Sequence, residues 1–245
     1  MGKIIAVVSG KGGTGKTSFT ANTALALAHM GYRVLCLDCD ITLRNLDLAL
    51  NLSDSALMDF SDVVEGRCTL EDALVQHPTY RSLFLLTAPM ISGQLSVSEM
   101  QMQQLGQEIR KTFDFCLVDS PAGLGQGFSL ATAMADSAVV ITTTDISALR
   151  DAQRTVMELS RFPKGNLHLV VNRVEKKMLK SLHVTIDDAM DAAGLPLLGV
   201  VPEDKDLPYC LNRNLILRQY SDYAAAAYEN IAKRIAGQKA PLMKI

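Results

Sequence analysis

Gly10-Lys11-Gly12-Gly13-Thr14-Gly15-Lys16-Thr17 is the stretch that decides the fold. It follows an apolar run, Ile4-Ile5-Ala6-Val7-Val8, that closes at Ser9, and a helix-forming stretch opens at Lys16. The pattern GxxxxGK[ST] between a strand and a helix predicts a loop that wraps phosphates. Gly10, Gly12, Gly13 and Gly15 let the backbone curl until its N–H groups point inward. Those donors, running through Thr14 to Ser18, and the positive end of the helix suit a di- or triphosphate. Lys16 is placed to reach β- and γ-phosphate oxygens, and the Thr17 hydroxyl to ligate Mg²⁺. The expected cofactors are therefore ATP or ADP with Mg²⁺.

Outward from this loop, apolar runs recur with helical patterns between them. Strands are predicted at Ile4–Ser9, Arg33–Leu37, Leu83–Thr87, Phe113–Val118, Ala138–Thr142, Leu167–Val171 and Leu198–Val201. Several are continuous Val, Ile, Leu and Phe rather than alternating, which marks strands covered on both faces. Helices are predicted at Lys16–Met30, Ser96–Lys111, Gly127–Met134, Ala148–Ser160, Val184–Ala193 and Tyr220–Ile235, with short ones at Leu57–Glu65 and Thr69–Gln76. The expected fold is α/β, a doubly wound and mostly parallel β-sheet flanked by helices, in one domain over residues 1–245.

The 245-residue length is enough for a substantial core, and 48% hydrophobic with 20% charged residues is ordinary for a globular chain. A net charge of −2 supplies no overall field for nucleic acid or anionic lipid. No apolar run approaches the roughly 20 residues of a membrane span, and the N-terminus enters a strand at once, so a cytoplasmic chain is expected. Cys36, Cys39, Cys68, Cys116 and Cys210 are an odd five, expected as free thiols. Cys36 and Cys39 have metal-site spacing, but residues three apart on a strand face opposite sides and no second Cys/His pair is near in sequence.

Acidic residues end two strands. Asp38 and Asp40 follow Leu35-Cys36-Leu37, and Asp119 follows Phe115-Cys116-Leu117-Val118. Strand ends of this kind face the ligand crevice of an open α/β sheet. Asp119 is the expected Walker B carboxylate beside Mg²⁺, with Asp38 a further candidate at the metal. Asp40 is the candidate that orients or deprotonates an attacking water. Pro121-Ala122-Gly123 forms a loop able to swing with phosphate occupancy.

With Lys11 inside it, the loop KGGTGKT resembles the deviant Walker A motif of the MinD/ParA family of P-loop ATPases, the SIMIBI class. The resemblance covers essentially the whole chain and is closest to the septum-site-determining MinD branch. Asp40–Leu48 is similar to DIGLRNLDL, Asp119–Gly123 to DSPAG, Thr142–Ala152 to TNPEVSSVRDA, and Gly199–Asp204 to GVIPED. It implies a slow, Mg²⁺-dependent ATPase in which Lys11 crosses a nucleotide-sandwich homodimer to the partner's phosphates, so that Lys11, Lys16 and Asp40 are catalytic. It implies that Asn172 bonds the adenine edge, that Arg173 flanks the base, and that Pro202, Glu203 and Asp204 close over it. An amide does match adenine's donor–acceptor face, although Asn and Pro are also common turn residues at strand ends. Ser147 and Asp151 become candidates for the dimer face and for a MinC/MinE-like regulator, while Ser147 reads equally as a helix N-cap.

Three departures stand out. Thr42 replaces a glycine, Asp145 replaces a glutamate, and Thr143-Thr144 replace the family's Asn-Pro. The pattern Tyr220, Tyr223, Ala227, Tyr228, Ile231, Ile235 reads as core packing, and the amphipathic membrane tail of the MinD branch is expected to be missing. Peripheral association with the inner face of the cell membrane is thereby in doubt. Two other readings compete. One is a ParA-like DNA-partition ATPase or flagellar-number regulator, using Arg213, Arg218, Lys233, Arg234, Lys239 and Lys244 as a basic surface; a nucleic-acid partner is not expected. The other, of a different class, is an ATP-dependent small-molecule synthetase of the same fold, against which Lys11 and Arg44-Asn45-Leu46-Asp47 count.

Overall fold

The computed structural model describes residues 1–53, 55–90, 96–182, 184–212 and 221–243. The strands are β1 (Lys3–Val8), β2 (Val34–Asp38), β3 (Val75–Gln76), β4 (Leu83–Leu86), β5 (Phe115–Asp119), β6 (Ser137–Thr142), β7 (Leu167–Val174) and β8 (Leu197–Pro202). They form one sheet in the order β3-β4-β2-β5-β1-β6-β7-β8, and every pairing is parallel except β3 with β4. All seven strands expected from the apolar runs are present. Five of their six-residue or shorter runs are wholly buried or nearly so, because helices cover both sides.

The helices are α1 (Lys16–His29), α2 (Leu46–Ala49), α3 (Phe60–Val64), α4 (Leu70–Ala73), α5 (Glu99–Thr112), α6 (Gln126–Ala133), α7 (Ile146–Glu158), α8 (Lys176–Leu182), α9 (Ile186–Ala193), α10 (Asp206–Asn212) and α11 (Asp222–Ile235). On one face, Phe19 and Leu27 of α1 and Tyr228 and Ile231 of α11 pack on Ile5, Val7, Leu117 and Val139. On the other, Met102, Leu105 and Ile109 of α5 pack near Ile4, Leu35 and Val118, while Ala152 of α7 and Ala189 of α9 pack near Ala6, Val140 and Leu169. Alternate residues of each strand feed opposite cores, as the pleat requires. Cys36 and Cys39 accordingly fall in different cores, both buried and free. No described helix is long and apolar enough to cross a membrane.

Several expectations are corrected. The Thr69–Gln76 helix is only Leu70–Ala73, closed by a capping box between Thr69 and Asp72; Val75–Gln76 then pairs antiparallel with Leu85 and Phe84. A ladder with β4 outbids the helical pattern there, since two residues at a sheet edge satisfy their backbone groups by pairing. The Leu57–Glu65 helix is likewise trimmed to Phe60–Val64, where Asp59 and Asp62 form a capping box. α2, α8 and α10 were not expected from periodicity; α2 and α8 are too short to show it. In α11, Ala227, Tyr228, Ile231 and Ile235 are buried, but Tyr223 is half exposed: five residues before Tyr228, it points off the buried face. Tyr220 lies outside the described residues.

Gly10 shows why the sheet and its loops fit as they do. A Cβ there would lie 2.6 Å from the Asp151 carbonyl oxygen and 2.8 Å from Thr155 Oγ1 of α7. Gly10→Ala must push a helix backbone aside, and is expected to lower stability by about 1–3 kcal/mol in urea unfolding. An unchanged unfolding midpoint would contradict this close contact.

Candidate functional site

The ends of six parallel strands meet at one edge of the sheet, and the expected site residues collect there. β1 runs into the Gly10–Thr17 loop and α1. The N-cap of α1 is Gly15, left-handed at φ 89°, with no side-chain cap and no acidic residue in the first turn. The first N–H donors of this helix therefore carry no internal partner and suit an anion.

Lys16 is 8% exposed, and burial pushes its pKa down while Asp119 and Asp40 push it back up. Its Nζ donates to Ser9 Oγ at 2.8 Å, and Ser9 Oγ donates to the Lys11 carbonyl at 2.7 Å. Lys11 is exposed, and its Nζ donates to Ser147 Oγ at 2.9 Å, at the start of α7. The two lysines of one loop thus point to different places. Ser147 is not an N-cap; Asp145 holds that position, and the Ser147 hydroxyl serves Lys11 instead. Asp145 Oδ2 accepts from Thr143 Oγ1 at 2.7 Å. Asp151 is half-buried one turn further on.

Asp119, at the end of β5, is 1% exposed. Thr17 Oγ1 donates to its Oδ2 at 2.6 Å, and Thr20 Oγ1 lies 3.2 Å from its Oδ1. Burial raises the Asp119 pKa to about 6 against the pull of Thr17 and Lys16. The Thr17 hydroxyl donates its hydrogen bond to the carboxylate, which leaves its lone pairs for a metal ion. Among the described residues no cluster of three His, Cys, Asp or Glu could by itself hold a metal. That suits Mg²⁺ carried by Thr17, phosphate oxygens and water rather than a protein cage.

Asp38 pairs in register with Asp119 and is equally buried. Its Oδ1 accepts from Asp40 N at 2.8 Å and its Oδ2 from Leu46 N at 3.3 Å, so both oxygens fold the loop that it begins. Burial, then the Asp119 charge, raises its pKa to about 8. Asp119, not Asp38, is the carboxylate joined to Thr17. Asp40 Oδ1 accepts from Thr42 N, Thr42 Oγ1 and Leu43 N at 2.5 to 3.1 Å. Thr42, the replacement for glycine, is thus a ligand of Asp40, and the left-handed residue of this loop is Arg44 at φ 38°.

A cavity of about 280 Å³ lies beside the loop, lined by Gly13, Gly15, Ser18, Asn172, Arg173, Pro202, Glu203, Asp204 and Leu207. Eight of these were singled out in the sequence. Asn172 is buried, and its Nδ2 donates to the Thr14 carbonyl at 2.8 Å, so the amide is not wholly available to a base. The Arg173 guanidinium donates to Glu203 at 2.8 and 3.2 Å and to the Gly13 carbonyl at 3.4 Å. A second cavity, about 440 Å³, opens between Lys11–Thr14 and Thr143–Asp145 and shares Gly13, Arg173 and Glu203 with the first.

Sequence reasoning missed Ser9, Thr20 and Leu207. Thr20 had a signal, since it sits one helical turn from Thr17 on the same face. Ser9 and Leu207 had none. Of the proposed basic surface, Arg213, Arg218 and Lys244 lie outside the described residues. Arg234 is part-buried and donates to the carbonyls of Leu198 and Ala240, which withdraws it from any such patch.

The family description "CobQ/CobB/MinD/ParA nucleotide binding domain" matches residues 5–217. The septum site-determining protein MinD of Bacillus subtilis is 39% identical over 248 residues, 99% of this chain and 92% of the relative. A MinC:MinD cell division protein complex from Aquifex aeolicus contains a chain of 35% identity and TM-score 0.90, with 99% and 98% of the two chains covered. The MinD of Pyrococcus horikoshii complexed with Mg-ADP has 29% identity and TM-score 0.81, with 96% of each chain covered.

With the Asp119 pKa raised to about 6, protons compete with metal below that value. The tightening of nucleotide binding by magnesium is expected to fade as pH falls through about 6, by about tenfold per unit below it. Titration calorimetry at pH 5 and pH 7.5 checks this, and equal magnesium dependence at both contradicts it.

Proposed function

The chain belongs to the CobQ/CobB/MinD/ParA nucleotide-binding family, and from that premise we propose that it is a switch in which ATP assembles two copies and hydrolysis separates them. It is a MinD-type ATPase of septum-site placement. The observation that carries the switch reading is the parting of the two lysines. Lys16 is buried and bonded to Ser9, while Lys11 is exposed and held at Ser147 at the start of α7.

On this reading Lys16 exchanges Ser9 for phosphate oxygens when ATP enters, and the free donors at the start of α1 bind the rest of the phosphate chain. Thr17, bonded to Asp119, would hold magnesium, and the bound ion would supply charge neutralisation at the phosphates. Asp40 offers Oδ2 to the attacking water, its Oδ1 being engaged by Thr42 and Leu43. Lys11 leaves Ser147 for the second copy's phosphates, where a cation supplied in trans stabilises developing charge. Asn172, Arg173, Pro202, Glu203 and Asp204 take the adenine. The start of α7, with Ser147, Asp151 and the exposed Ile146, is the face offered to the second copy and to a MinC/MinE-like regulator. The Aquifex relative's complex with MinC supports a MinC-like partner.

Lys11→Ala is expected to leave ATP affinity within about threefold of wild type and to lower turnover a hundredfold or more, on the scale of a removed transition-state donor. Lys16→Ala is expected to lose ATP binding itself. Full turnover by Lys11→Ala would overturn the trans assignment.

A further inference from the structure

The phosphate loop is held from outside by the strand that carries the base site. A loop that turns its N–H groups inward must turn carbonyls outward, and a buried carbonyl needs a donor. Thr14 is buried, and its carbonyl accepts from Asn172 Nδ2 at 2.8 Å. The neighbouring Gly13 carbonyl accepts from Arg173 at 3.4 Å. Both donors come from the end of β7, which is separated from β1 by β6. Arg173 is left-handed, at φ 57°, in a strand otherwise extended. The contact is close: a Cβ on Gly15 would lie 2.3 Å from Asn172 Nδ2. Gly15 is thus glycine for two reasons, its φ of 89° and the amide seated where a side chain would be.

Rotation of the Asn172 amide to suit a base cannot leave Thr14 untouched, because one nitrogen faces both. We infer that Asn172 is a positioning residue for the phosphate cradle as well as a contact for the base, so that the occupied base site tightens the loop around the phosphates. The inference rests on the reading of these loops as an ATP site. Asn172 Nδ2 has two hydrogens: one holds the Thr14 carbonyl, and the second, with Oδ1, is left for the base. A base that engages them fixes the amide plane and with it the carbonyl direction of Thr14. Nucleotides that mismatch the amide then lose phosphate contacts too, and discrimination exceeds what the base edge alone provides.

The test uses a ligand with no base. Inorganic tripolyphosphate with magnesium is titrated into the full chain by calorimetry, alongside Mg-ADP. Asn172→Asp keeps the shape and loses the donor; Asn172→Ala loses both. Both variants are expected to bind tripolyphosphate about tenfold more weakly, the effect of one buried hydrogen bond. Full tripolyphosphate affinity beside weakened ADP binding would make Asn172 a base contact only and overturn the inference. If wild type binds neither ligand, the ATP-site reading fails. The brace is tested separately by amide hydrogen exchange of residues 10–17 in the nucleotide-free protein. Exchange is expected to quicken in both variants, and an unchanged rate overturns the inference. Where the Asn172 variants do not fold, Arg173→Ala, at an exposed side chain, serves in the exchange experiment with the same two outcomes.

Discussion

Lys16 places its amine where only 8% of the residue is exposed, and the whole carboxyl edge of the sheet answers to that fact. A buried ammonium is costly unless it is hydrogen-bonded and faces opposite charge. Ser9 Oγ provides the bond, and Asp119 and Asp40 provide the field. Each partner comes from a different strand end, and the sheet order β2-β5-β1 is what brings them together. The same arrangement gathers a cation, uncapped helix donors and a carboxylate-bound hydroxyl at one edge of the sheet. A triphosphate with magnesium complements all three.

The cluster also explains why two acids in register do not simply repel. Asp38 spends both oxygens on the backbone of the loop it opens, and burial beside Asp119 raises its pKa to about 8. Asp119, nearer Lys16 and bonded by Thr17, stays the more acidic of the pair. One carboxyl therefore serves the fold and the other faces the chemistry, a division set by hydrogen-bond partners rather than by residue type.

Much of this was legible in the sequence. Continuous apolar runs mark buried parallel strands, and each strand's last polar residue lies at the ligand edge, so Asp38, Asp119, Asn172 and Pro202 were placed correctly as positions. Their partners were not legible. Whether Asp38 faces a metal or its own loop, or whether Asn172 gives its proton to a base or to Thr14, depends on ångström-scale direction that no periodicity encodes. Val75–Gln76 failed for another reason: a two-residue edge strand exists only because β4 lies beside it. The departures at Thr42 and Asp145 were visible as substitutions, yet only the structure shows Thr42 bonded to Asp40 and Asp145 capping α7 through its backbone and bonding Thr143.

On the proposed switch reading, Lys11 makes the site more than a nucleotide pocket. It lies in the same loop as Lys16, yet its amine is held by Ser147 of α7 rather than by Ser9. On this account the pocket of one copy is finished by the lysine of another, so the chemistry must follow the square of protein concentration until dimers saturate. The direct measurement is turnover per protomer across a range of protein concentrations in Mg-ATP, with sedimentation velocity on the same samples. The account predicts that turnover rises with concentration in step with the dimer fraction. A constant turnover in samples that sediment as monomer would contradict it.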